Sequence, residues 1–202
     1  MVQRAENARE RFEHAAYQLF GERGYAATTV PEIASKAGLT ERTFYRYFTD
    51  KREVMFWRAG DHQMSIANEM AKARTGEPSL TMVARAFESI APFIDGNRAI
   101  VKLRQRLISA HEDLQERELM KLHKLSCAID LALQQKGIRS TASRAVAEIG
   151  AAVWKVALEN WHADETEKPF ARHVQAALTE FQAGLHQIAG QSTDFAGRSR
   201  GM

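Results

Sequence analysis

The chain has 202 residues, 45% of them apolar and 26% charged, with four prolines and twelve glycines. That length allows one substantial core or a small domain joined to a larger one, and so few turn formers argue against a β-rich fold. A net charge of +3 is compatible with nucleic-acid binding without establishing it, and the single cysteine, Cys127, excludes an intrachain disulfide.

Phe12, Ala15, Ala16, Leu19 and Phe20 recur at helical spacing among charged residues, predicting a first helix with one buried face. Gly21 and Gly24 mark its end. Thr29 and Glu32 have the spacing of a capping box, with Pro31 in the first turn of a short second helix that Gly38 stops. Thr40 is placed to cap a third helix carrying Phe44 and Phe48. Asp50 and Glu53 repeat the capping-box spacing and predict a long helix from Val54 through Met70, ended by the stretch KARTGEPS. Helical stripes then follow: Leu80 to Ile90, Ile100 to Ile108, Leu114 to Leu133, Val146 to Trp161 and Phe170 to Ile188. The expected fold class is therefore all-α, with a three-helix head over residues 1–50, a helical body over 51–190, and a disordered tail over 191–202.

Helices of two turns are marginal alone and need a shared core. Phe12, Leu19, Phe20, Ile33, Ala34, Leu39, Phe44 and Phe48 supply one, with Ala37-Gly38-Leu39 as the tight connection of a helix-turn-helix. Such a core holds the third helix with Thr40, Glu41, Arg42, Thr43, Tyr45 and Arg46 outward. A helix of this kind fits the major groove, where arginine reads guanine and threonine meets thymine. Thr29, Thr40 and Lys51 stand at expected helix starts, each suited to a backbone phosphate. The same pattern is also that of a solvated helical face.

Residues Phe12 to Phe56 strongly resemble the N-terminal head of the TetR family of bacterial transcriptional regulators. The resemblance rests on AAYQLFGERGYAATTVPEIASKAGLTERTFYRYFTDKREVMF: LF closing the first helix, GY before TTV, IA with AG, then TFYRYF and a lysine. It implies phosphate contacts from Thr29, Thr40, Tyr45, Tyr47 and Lys51, and roles at or near the base edges for Arg42, Thr43 and Arg46. The chain departs from the family at Arg42, where a glycine is common, so that a long donor arm is added at the groove surface.

For the body, the resemblance implies a homodimer paired through the last two helices. The expected interface residues are Ile149, Val153, Val156, Trp161, Val174, Leu178, Phe181 and Leu185. It also implies an effector cavity for a largely apolar small molecule. Candidate lining residues are Trp57, Met64, Phe87, Ile90, Leu103, Leu107, Leu122, Ile129 and Trp154, each equally suited to ordinary core. Arg104 and His111 are expected in solvated positions.

No zinc-ligand spacing, HExxH pair or phosphate-cradling glycine loop is present in the sequence, so no cofactor, metal or catalytic residue is assigned and the chain is not read as an enzyme. Cys127 is expected to be a buried, inert small hydrophobe. No run approaches the roughly 18–20 apolar residues of a membrane span, nor does the first segment carry a signal-peptide core, which predicts a cytoplasmic protein with no membrane partner. The leading functional expectation is a sequence-specific repressor that leaves a palindromic operator on binding its effector. Its rivals are an activator or effector-independent regulator of the same fold, and a helical protein-interaction module.

Overall fold

A computed structural model describes residues 2–74 and 76–198, with side chains from Ala8 to Gln187. Among the described residues the chain is all helical: α1 (Val2–Arg23), α2 (Val30–Lys36), α3 (Glu41–Tyr47), a 3-10 turn (Glu53–Met55), α4 (Ala59–Ala71), α5 (Ser79–Glu88), α6 (Ala91–Gly96), α7 (Arg98–Ala110), α8 (Glu112–Gln135), α9 (Ser140–Ala163) and α10 (Phe170–Arg198). No described helix is long and apolar enough to cross a membrane.

The chain packs as two compact units, one made of residues up to Met64 with Asn97–Lys124, the other of Ser65–Gly96 with Leu125 onward. The first unit is therefore larger than a head ending at residue 50. The reason is a shared core: Val54, Met55, Phe56, Leu107, Ile108 and Leu114 are buried in one cluster with Phe12, Ile33 and Phe44. The expected tail is also revised, since α10 continues to Arg198, while 199–202 lie outside the described residues.

Two further boundaries differ from the sequence pattern. The long helix expected from residue 53 starts only at Ala59. Val54, Met55 and Phe56 are consecutive and all buried, which one face of an α-helix cannot achieve, so the chain takes a tight 3-10 turn instead. Asp50 still caps it, accepting from the backbone N–H of Arg52 at 2.8 Å and of Glu53 at 3.3 Å. The stripe from Leu80 to Ile90 also breaks, into α5 and α6. Pro92 sits in the first turn of α6, where it lacks the N–H that a continuous helix requires.

In the second unit, α9 turns Ala147, Gly150, Ala151, Ala157, Leu158 and Trp161 inward at three- and four-residue spacing. A Cβ on Gly150 would meet Val83 Cγ1 at 3.0 Å and Ile129 Cδ1 at 3.3 Å, so glycine is what lets α9 approach this closely. Phe87, Trp154, Phe170 and Trp161 form a chain of edge-on ring contacts. Asp95 joins this core, accepting from Trp161 Nε1 at 3.0 Å and from the Phe170 N–H that opens α10, also at 3.0 Å. Cys127 is exposed, not buried as expected, because Leu125, Ser126 and Ile129 take the inward positions of α8.

Candidate nucleic-acid interface

Between α2 and α3 the backbone forms a Schellman turn. Gly38 N–H donates to Ser35 O at 3.0 Å and Leu39 N–H to Ala34 O at 2.9 Å, with Gly38 at φ +64°. Arg11 of α1 closes the turn from outside, its Nη2 donating to Ala37 O at 2.5 Å and Gly38 O at 3.2 Å. A Cβ on Gly38 would lie 2.8 Å from that same nitrogen, so both the conformation and the close approach require glycine. Sequence reasoning missed Arg11, which sits on the polar side of α1; the only signal was the glycine whose carbonyl it binds.

The third helix opens on Thr40, whose Oγ accepts from Thr43 N–H at 3.1 Å. Its inner side rests on aromatic packing. Phe44 is fully buried, its ring edge-on to Phe12 at 5.2 Å between centroids, and Phe48 lies 6.1 Å from Phe12. Burying each such ring contributes about 2–3 kcal/mol. Leu39 is half-buried against the same core, as expected. Opposite Phe44, at helical spacing, stand Arg42 and Arg46, with Tyr45 beside them at 56% exposure. Arg42 and Glu41 are exposed as well.

The remaining expected contacts are placed less uniformly. Thr29 is exposed, but both its hydroxyl and its N–H donate to Glu32 Oε2, at 2.8 and 2.9 Å. Those bonds, the backbone one first, hold the Glu32 carboxyl below its ordinary range. Tyr47 is half-buried and its hydroxyl accepts from Arg46 Nη2 at 3.1 Å. Arg46 and Arg9 both lie over the Tyr47 ring, at 4.9 and 5.5 Å, which adds Arg9 to the basic groups around α3. Lys51 points inward: its Nζ donates to the carbonyls of Tyr25, Thr28 and Ala26 at 2.7, 2.8 and 3.3 Å. In this arrangement it is not the extended phosphate hand expected of it.

The nine candidate cavity residues fall into both units: Trp57, Met64, Leu103, Leu107 and Leu122 in the first, Phe87, Ile90, Ile129 and Trp154 in the second. Phe87 and Ile129 are fully buried core, and Met64 is 60% exposed. Arg104 is a correction. It is largely buried, pairing with Glu118 Oε2 at 2.6 Å, donating to Met55 O at 3.1 Å and covering the Phe56 ring. His111 is half-buried, tilted against Tyr25 at 4.9 Å. Among the candidate interface residues, Val153, Trp161, Val174 and Leu178 are core of the single chain, because they share the inward face of α9 or α10. Val156 and Leu185 are exposed, while Ile149 and Phe181 are half-buried.

Comparison with known proteins agrees with this geometry. Residues 14–56 match the model of the bacterial regulatory proteins of the tetR family. A segment of 47 residues is 38% identical to the uncharacterized HTH-type transcriptional regulator YerO of Bacillus subtilis (strain 168), spanning 23% of this chain and 16% of that protein. Over most of the chain the fold is similar to that of SmeT in complex with triclosan, with a TM-score of 0.63, 18% identity, and coverage of 88% of this chain and 90% of that one. SmeT is described as the repressor of the Stenotrophomonas maltophilia multidrug efflux pump SmeDEF. The transcriptional regulator FadR of Bacillus subtilis in complex with stearoyl-CoA gives a TM-score of 0.62 at 16% identity, covering 84% of this chain and 95% of that one. The turn built on Gly38, the aromatic seat of α3 and these matches lead to one assignment: by its N-terminal segment the chain belongs to the TetR family, and beyond that segment it carries the all-helical fold of such regulators.

Proposed function

We propose that this chain is a sequence-specific DNA-binding transcriptional repressor that acts as a homodimer on a palindromic operator and is released by a largely apolar small molecule. The observation that carries the reading is the third helix, whose aromatic side is locked into the core while Arg42, Tyr45 and Arg46 face outward. A rigid rod with two guanidiniums and a phenol on one face suits the major groove, where each good bidentate arginine–guanine pair contributes about 1–3 kcal/mol of discrimination. Thr29, Thr40, Thr43 and Tyr47 are the proposed flanking contacts to phosphate or base edges.

One such helix reads a short site, and two related by a two-fold axis read a palindrome. Pairing through α9 and α10 is supported by the apolar side chains they leave accessible, Val156 at 41% and Leu185 at 48% exposure, with Ile149 and Phe181 half-covered beside them. The effector class is supported by two proteins of similar fold, named with triclosan and with stearoyl-CoA. Release by an effector requires that it bind one conformation of the dimer better than the other.

Selection of duplexes from genomic DNA by the purified full-length protein, at stated salt, tests the reading. A two-fold symmetric motif is the expected result, and recovery of no enriched sequence contradicts it.

A further inference from the structure

An ammonium has three donors, and in Lys51 all three are taken by the chain itself. Their acceptors are the carbonyls of Tyr25, Ala26 and Thr28, in the loop that joins α1 to α2 and delivers Thr29 to the start of α2. The Lys51 Nζ also lies 4.3 Å from the centre of the Tyr25 ring. Tyr25 is itself anchored: it is 5% exposed, its hydroxyl donates to Asp113 Oδ2 at 3.1 Å, and its ring rests against His111. Thr28 tightens the loop further, its hydroxyl donating to Gly24 O at 2.8 Å. Lys51 follows Phe48, the residue that ends α3. It thus ties the exit of the third helix to the entry of the second. Burial draws its pKa below the ordinary lysine value, with Asp113 opposing.

We propose that Lys51 is a positioning residue that fixes the α1–α2 loop, and so the relative placement of α2 and α3, and that it makes no phosphate contact. The proposal rests on the DNA-binding reading above. Arginine is not a substitute here, because its flat guanidinium cannot aim donors at three carbonyls converging on one point.

The test uses the full-length protein, Lys51→Met and Lys51→Arg. Each is titrated over a range of salt with a duplex of the selected sequence and with a random-sequence duplex. Amide hydrogen exchange of residues 25–30 is followed in the free proteins. In both variants the preference for the selected over the random duplex falls by about ten-fold, the loss of one charged hydrogen-bond set. Random-duplex affinity and the slope of log K against log salt stay at the wild-type values. Exchange protection drops at 25–30 and is kept in α9 and α10, which separates loosened positioning from general unfolding. A slope smaller by about 0.9 in Lys51→Met, restored by Lys51→Arg, overturns the proposal, since that is the mark of one lost phosphate contact. Unchanged protection at 25–30 overturns it too. If the wild-type protein binds no duplex, the DNA reading fails separately, and the exchange measurement still decides whether Lys51 braces the loop.

Discussion

The two units of the chain are held together by different chemistry. In the unit that contains α1–α3, short elements are tied by charged side chains reaching backbone carbonyls or each other. Arg11 binds the α2–α3 turn, Lys51 binds the α1–α2 loop, Arg104 pairs with Glu118, and Arg58 pairs with Glu13 at 2.7 Å. In the unit that contains α9 and α10, long helices interlock through small residues and aromatic rings around a single carboxylate, Asp95. Helices of seven residues bury too little surface to fix their own angle, so polar ties set it. Helices of 24 and 29 residues have area enough for packing to decide.

That contrast can be broken at its strongest point by Trp161→Ala. The indole is fully buried and its N–H is bonded to Asp95, so truncation leaves a cavity and an unmatched carboxylate, and chemical denaturation should register a loss of about 3–5 kcal/mol. A loss under about 1 kcal/mol would mean that the ring chain contributes little.

Arg104→Ala comes next. It strips Glu118 and the Met55 carbonyl of their partner in a mostly covered site, and about 2–3 kcal/mol is expected after allowance for the remaining exposure of the pair. The effect should be nearly independent of salt; strong screening would show that the pair is open to water.

A smaller effect sharpens the comparison through pH. Burial first, then the positive charges of Arg104 and Arg58, lower the His62 pKa from 6.5 to about 4. Between those values the unfolded chain binds a proton that the native chain does not. Stability therefore falls as pH drops from about 6.5 and levels near 4. His62→Asn should flatten this part of the stability profile, and an unchanged slope would remove His62 as its source.

The smallest change is expected at Lys155, whose pairing with Glu159 at 3.9 Å is exposed on both sides. Lys155→Ala should shift stability by less than about 0.5 kcal/mol.

Local signals made much of the head legible in the sequence. Thr40, Gly38 and the spacing of Phe44 and Phe48 each act within a few residues, and each ends or seats a helix where expected. The stretch from Asp50 to Arg58 was misread because its capping box is real while what it caps is set by three consecutive buried residues and their distant partners. Lys51 and Arg104 were misassigned for a related reason: periodicity marks a charged residue as outward, and only the fold brings carbonyls or a carboxylate to it. In α9, apolar residues cover more than one side, so the pattern could not separate the subunit's own core at Trp161 from the exposed side at Val156. The division at residue 50 missed α7 and the start of α8, whose contribution to the first core comes from far along the chain.

The central claim is that the outer face of the third helix enters a DNA groove. Equilibrium binding of the wild-type protein and Arg42→Ala to the selected duplex, at one stated salt concentration, tests it most directly. Saturable wild-type binding is predicted, with a loss of about 1–3 kcal/mol in the variant and weakened preference at one position of each half-site. Equal affinities for the two proteins, or no saturable binding by the wild type even at low salt, would contradict it.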